Sequence, residues 1–411
     1  MRDAAEEAST QYFVDTDSDK GLHCLNGWQN VQLGDFVDLL SGHHVMASYC
    51  NNQGVGTPYL TGPADFPDGV IQLTKYTTRP SAICDVGDIL VTVKGSGVGS
   101  LTLADKKYCI SRQLMAVRVR NWDARFVYQL ISSKQDFFSG AATGLIPGLS
   151  RSDILEKSIH VPVDPEEQTT IANALSDVDA LISSLESLMT KKQAIKTATM
   201  QQLLTGRTRL PQFATHPDGR LKGNKQSELG EIPEDWSVYK IGNLVSITTG
   251  GRNTQDRVDD GAYPFFVRSK SVERINTYSF EGEGVLTAGD GVGTGKIFHY
   301  IKGRFDFHQR VYLMHGFEGS VNGRFFFMFF SSNFYNRIMS MTAKSSVDSV
   351  RREMIADMMM PVPSKEEQIA IAQIVSDMDG EIHILEQRLS KTRQIKQGMM
   401  QELLTGRTRL V

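Results

Sequence analysis

Apolar residues recur at alternating intervals of four and three in two stretches of this 411-residue chain. The first stripe is Ile171, Leu175, Val178, Ile182, Leu185 and Met189. The second is Ile371, Val375, Met378, Ile382, Leu385 and Leu389. A 4-3 alternation holds one stripe on one side of an α-helix and is the seam of a coiled coil. Polar residues fill most of the remaining positions, so neither helix is expected to be wholly buried. The ends are punctuated alike. Asp164 and Ser364 stand three residues before Glu167 and Glu367, the spacing of a capping box. Pro165 falls at the first helical position, where its missing N–H costs nothing. Gly206 and Gly406 follow the last leucines, as expected of a left-handed residue closing a helix. Between these signals lie about 40 residues, or about 60 Å of helix.

The two stretches are copies of each other. Glu166–Leu210 and Glu366–Leu410 match at 24 of 45 positions without a gap, and both end on LLTGRTRL. A self-match of this length is a duplication. It continues into the segment before each helix. Trp28 is followed by Gly34 and Gly42, and Trp236 by Gly242 and Gly250 at the same offsets. KGSGVG (Lys94 to Gly99) recurs as GDGVG (Gly289 to Gly293). Gln113 leads LMAV as Gln309 leads RVYL, and RFVYQLISS recurs as RFFFMFFSS. Two seams of this kind either serve as independent core stripes or pair with each other. Pairing about a pseudo-twofold axis, antiparallel, is the more economical arrangement.

Within the globular segments, short runs such as Asp88–Val93 and Val311–Met314 predict strands separated by Gly-rich turns. The Phe-rich block 325–330 predicts a buried helix. The expected fold class is α+β: two globular domains joined by two long helices that pair as an antiparallel coiled coil. The boundaries read as an N-terminal arm (1–27), a first domain (28–160), a first helix (161–210), a linker (211–235), a second domain (236–360) and a second helix (361–411).

Composition alters this picture little. A hydrophobic share of 40% and a charged share of 22% are those of a soluble globular chain. No apolar run approaches the roughly 18 residues of a membrane span. The acidic start MRDAAEEAST does not read as a signal peptide. Cys24, Cys50, Cys84 and Cys109 contain no CxxC pair, which points to reduced thiols in a cytoplasmic protein. Net charge is −3, yet the acidic excess lies outside the globular segments. Residues 28–160 carry 12 basic and 11 acidic side chains, and residues 236–360 carry 15 and 12. That balance permits DNA binding without demonstrating it.

Catalytic motifs are wanting. GDGVGTGK (Gly289 to Lys296) fails as a P-loop, because Asp290 replaces the first glycine and Ile297 the Ser/Thr that would hold magnesium. KGSGVGS lacks the G-x-G-x-x-G spacing, so a tight hairpin is expected there. The histidines lack the spacing of metal ligands.

Taken together, GEIPEDW before the second domain, the EEQ helix start in both copies (MPVPSKEEQ with P-x-x-EEQ spacing in the second, VPVDPEEQ departing from it in the first) and the repeated MQxLLTGRTRL ending resemble the specificity subunit of type I restriction–modification enzymes. The likeness runs from Trp28 to the end. It implies two target-recognition domains, each reading one half of a bipartite, asymmetric site in double-stranded DNA, with conserved spacer helices between. It implies no catalysis in this chain. Two adenine-N6 methyltransferase subunits would carry S-adenosylmethionine, and motor-nuclease subunits would use ATP and magnesium. The DNA face is expected at the Gly hairpins and Gln landmarks: Lys94, Ser96, Arg112 and Gln113 in the first domain, with Asp290, Lys296, Gln309, Arg310, Arg268 and Lys270 in the second. Gln matches adenine and Arg matches guanine in bidentate pairs. The alternatives are a coiled-coil adaptor without base readout, which leaves the duplicated globular segments unexplained, and an enzyme of another class, for which no catalytic constellation stands.

Overall fold

A computed structural model describes residues 27–95, 97–133, 148–317, 319, 321–341 and 349–410. The expected N-terminal arm up to residue 26, with Cys24, and also Ser96 lie outside these residues. The chain divides into two compact units, Met1–Ser184 with Leu389–Val411, and Leu185–Arg388.

In the first unit Trp28–Gln32 pairs antiparallel with Ser158–Pro162, closing the globular segment just before the first long helix. A four-stranded antiparallel sheet runs Val37–Ser41, Leu114–Val119, Ile89–Thr92, Leu101–Leu103. A five-stranded sheet holds Thr57–Leu60 and Tyr108–Ile110 as a parallel pair. The core joins Ile89, Val91, Phe126 and Leu130 to Ile171 and Leu175 of one long helix and to Leu403 and Leu404 at the end of the other.

The second unit repeats this plan with one change. Ser237–Lys240 pairs with Met359–Val362, and six strands form a single sheet. The merger follows from strand length. Phe298–Phe307 runs ten residues unbroken, pairing with Phe280–Ala288 and, at its far end, parallel to Tyr263–Phe266. In the first unit the corresponding chain is interrupted between Leu103 and Tyr108, so its two halves join different sheets. The Phe-rich block forms the helix Gly323–Ser340, capped by the Asn322 side chain, which accepts from the Phe325 N–H. Phe325, Phe326, Phe330 and Phe334 are fully buried.

The long helices are Pro165–Leu204 and Lys365–Leu403. Their ion pairs run in opposite sequence directions in each unit. In the first, Glu167 meets Arg409 and Asp179 meets Lys396. In the second, Lys192 meets Glu381, Lys196 meets Asp379 and Arg209 meets Glu367. Within each unit the pairing is therefore antiparallel. The apolar stripes are not uniform zippers. Ile171, Leu175, Leu185, Ile371, Val375, Ile382 and Leu389 are buried, whereas Val178, Ile182, Met189, Met378 and Leu385 are half-buried. The first two residues of each stripe lie inside a domain core, where sheet and helix side chains cover them.

One expectation is corrected in part. The glutamates at the capping-box spacing do not reach back to the helix start. Glu167 and Glu367 are buried, and each carboxylate takes an indole N–H (Trp28, Trp236) and an arginine (Arg409, Arg209). A buried carboxylate is held far more firmly by a guanidinium than by one backbone N–H. The cap residues themselves act as expected, Asp164 accepting from the Glu166 N–H and Ser364 from the Glu367 N–H. The segment 211–235, which leads into the second domain, holds an antiparallel hairpin of Asn224–Ser227 with Gly230–Pro233. Pro233 packs so close to Gly206 (φ +71°) that a β-carbon there would lie 2.4 Å from the proline ring. Among the described residues no helix is long and apolar enough to cross a membrane.

Candidate nucleic-acid interface

Each unit builds the same backbone corner beside its Gly-rich hairpin. In the first, Thr92 lies opposite Leu114, and the Val93 N–H donates to the Gln113 carbonyl at 2.7 Å. In the second, Ala288 lies opposite Val311, and the Gly289 N–H donates to the Arg310 carbonyl at 2.8 Å. On the hairpin's other side the Leu149 N–H reaches the Val93 carbonyl, as the Val350 N–H reaches that of Gly289. A third bond completes the match. Ser111 N donates to the Leu60 carbonyl, and His308 N to that of Phe266.

This frame corrects the register taken from the Gln landmarks. Gln113 corresponds to Arg310, not Gln309, and Arg112 corresponds to Gln309. Lys94 corresponds to Asp290, and Ser111 to His308. The side chain below the tip acts alike in both: Ser111 Oγ accepts the Gln113 N–H at 3.1 Å, and His308 Nδ1 accepts the Arg310 N–H at 2.9 Å. Sequence matching slipped by one because identical glutamines outweighed a hydrogen-bond role shared by serine and histidine.

Lys94, Arg112 and Gln113 come together at the first corner, all exposed. Gln113 lies over Gly62, where a β-carbon would stand 2.2 Å from its Oε1. Arg112 and Gln113 also border an open cavity of about 460 Å³, lined further by His44, Tyr59, Thr61 and Lys75. At the second corner Asp290 accepts from Arg268 Nη1 at 2.9 Å and faces Arg310 Nε at 3.8 Å. Gln309 donates to Asn253 Oδ1 at 2.6 Å. Lys296 sits elsewhere, its ammonium 5.1 Å above the Tyr335 ring, and Lys270 is exposed. Burial, aided by the charge of Arg268, holds the His308 pKa below the usual histidine range, which keeps Nδ1 able to accept.

His44 and Arg252 were missed. Arg252 bridges to His308, its carbonyl accepts the Gln309 N–H, and its Nε pairs with buried Asp306 at 3.2 Å. The duplicated glycines carried the signal. A β-carbon at Gly42 would sit 2.1 Å from the Ser111 carbonyl, and one at Gly250 1.9 Å from that of Phe307. Only glycine lets the chain cross so closely, and the crossing delivers residues 43–44 and 251–253 beside the corner.

Fold and corner thus define a protein with two matched domains, each presenting its own polar tip from a common frame, carried on duplicated helices. The chain belongs to the family described as the type I restriction modification DNA specificity domain, whose model matches residues 26–197 and 233–394. It is 26% identical over 417 residues to the type I restriction enzyme MjaVIII specificity subunit of Methanocaldococcus jannaschii, covering 95% of each chain. It is 28% identical over 176 residues to the EcoDI specificity subunit of Escherichia coli, covering 43% of this chain and 38% of that one. Its fold is similar to the crystal structure of the type I restriction–modification S subunit from M. genitalium, with a TM-score of 0.66 and 18% identity over 94% of this chain and 98% of that one.

Proposed function

We propose that this chain is the DNA-reading subunit of a type I restriction–modification complex, each globular unit reading one half of a bipartite, asymmetric site with unread base pairs between. The observation that carries this reading is the repeated corner: one hydrogen-bonded frame in both units, with Gln113 against Arg310 and Lys94 against Asp290 at its tip. A scaffold that keeps its backbone and varies its exposed polar groups suits recognition of two unlike short sequences through base edges. The near-identical helices suit two equivalent partners, two adenine methyltransferase subunits. In this reading the chain does no chemistry. S-adenosylmethionine binds the methyltransferases, and ATP and magnesium serve the motor-nuclease subunits.

Co-expression with the cognate methyltransferase subunits tests this. The complex is expected to methylate adenines within one bipartite motif, while the chain alone neither methylates DNA nor gives heat on titration with S-adenosylmethionine. Stable assembly with methylation at no defined motif would favour an adaptor without base readout.

A further inference from the structure

The two corners differ in chemistry at matched positions, and the differences are coordinated. At the second, three segments converge on one carboxylate: Arg268 after the strand Tyr263–Phe266, Asp290 after Phe280–Ala288, and Arg310 before Val311–His315. Asp290 faces Arg310 on its Nε side, which leaves the two terminal nitrogens of the guanidinium unengaged by it. Those are the paired donors that match guanine O6 and N7. The Arg310 side chain is 64% exposed, and its backbone N–H is pinned by His308. At the first corner the matched residue is Gln113, whose amide offers one donor and one acceptor, the pattern of adenine N6 and N7. Its partner positions have changed with it. Lys94 stands in place of Asp290. Gly62 stands in place of Arg268, and the glutamine lies across it.

We propose that Gln113 and Arg310 are the matched base-reading residues of the two domains. Gln113 reads an adenine in one half-site, and Arg310 reads a guanine in the other. Asp290 is a positioning residue: it offsets the repulsion between Arg268 and Arg310 and orients the guanidinium fork. This rests on the DNA-specificity reading above and assigns base identities within it.

The test is methylation-motif sequencing of the whole complex carrying Arg310→Lys, Arg310→Gln, Asp290→Asn or Gln113→Ala. Arg310→Lys retains the charge but not the fork. It is expected to lose guanine preference at one position by about 5- to 150-fold, with the other half-site unchanged. Arg310→Gln is expected to relax the same position. Asp290→Asn is expected to weaken that same preference at an unchanged melting temperature, an effect that a merely structural role would not produce. Gln113→Ala is expected to relax an adenine in the opposite half. The assignment is overturned if Arg310→Lys keeps full guanine preference, if it weakens methylation equally at every sequence, as a phosphate contact would, or if the half-site altered by these variants holds no guanine in the parent. A parental complex that methylates no bipartite motif would instead overturn the DNA-specificity reading itself.

Discussion

Arg209 and Glu367, 158 positions apart, form a two-pronged ion pair in which Nε donates to Oε1 at 3.0 Å and Nη2 reaches the other oxygen. The carboxylate is 1% exposed and also accepts the Trp236 indole N–H at 3.1 Å, while Asp235 accepts from Nη1 and Nη2 of the arginine. The first unit repeats the arrangement with Trp28, Glu167 and Arg409. One glutamate in each unit thereby ties the start of a long helix, the opening tryptophan of a globular segment and the arginine beyond the other helix's last turn.

Removing the arginine strands a buried charge. Arg209→Ala is expected to cost about 3 kcal/mol, since a buried carboxylate is left with an indole as its main partner. Arg409→Ala should cost less, because its side chain is 34% exposed. Lys192→Ala breaks an exposed pair and should cost under about 1 kcal/mol. Urea denaturation of the three variants checks this order. Equal losses would mean that the buried clamp adds nothing beyond a surface pair.

The crossing glycines should tolerate no β-carbon. Gly250→Ala and Gly42→Ala each place a methyl group against a backbone carbonyl, with an expected loss of about 1–3 kcal/mol or more. Gly251→Ala, next in sequence, meets nothing within 4 Å and should be close to neutral. Melting temperatures decide the point: a Gly250→Ala variant as stable as Gly251→Ala would show that the crossing is not tight.

Acid should destabilise the second unit. Burial holds the pKa values of His299, His308 and His315 below the ordinary 6.5. Below that pH the unfolded chain binds more protons at these sites than the folded one, so stability rises with pH there. The contribution is fully present above 6.5 and is lost as pH falls towards the depressed values. Thermal unfolding should therefore shift downwards between pH 7 and pH 5. In His299→Gln the shift should shrink, because one of the three titrations is gone. An identical shift in that variant would exclude His299 as a contributor.

Much of this protein could be determined from the chain by itself. A 4-3 stripe of apolar residues can bury one side only as a helix, so Ile171 to Met189 and Ile371 to Leu389 declared their elements. The eight-letter repeat ending at Leu210 and Leu410 disclosed the duplication, whereas the stretch Gly289 to Lys296 is a long connection between the antiparallel strands Phe280–Ala288 and Phe298–Phe307. Side-chain partners were another matter. Glu167 lies at capping distance in sequence, but its partner Arg409 is 242 positions away, and local spacing carries no trace of such a contact. The match of Gln113 to Arg310 was likewise decided only in the folded sheet. A register is defined by backbone hydrogen bonds, which are indifferent to residue identity, whereas sequence comparison rewards identity and so paired glutamine with glutamine. The Asp290 carboxylate between Arg268 and Arg310 arises for the same reason: the fold gathers three segments, none of which signals the others in sequence.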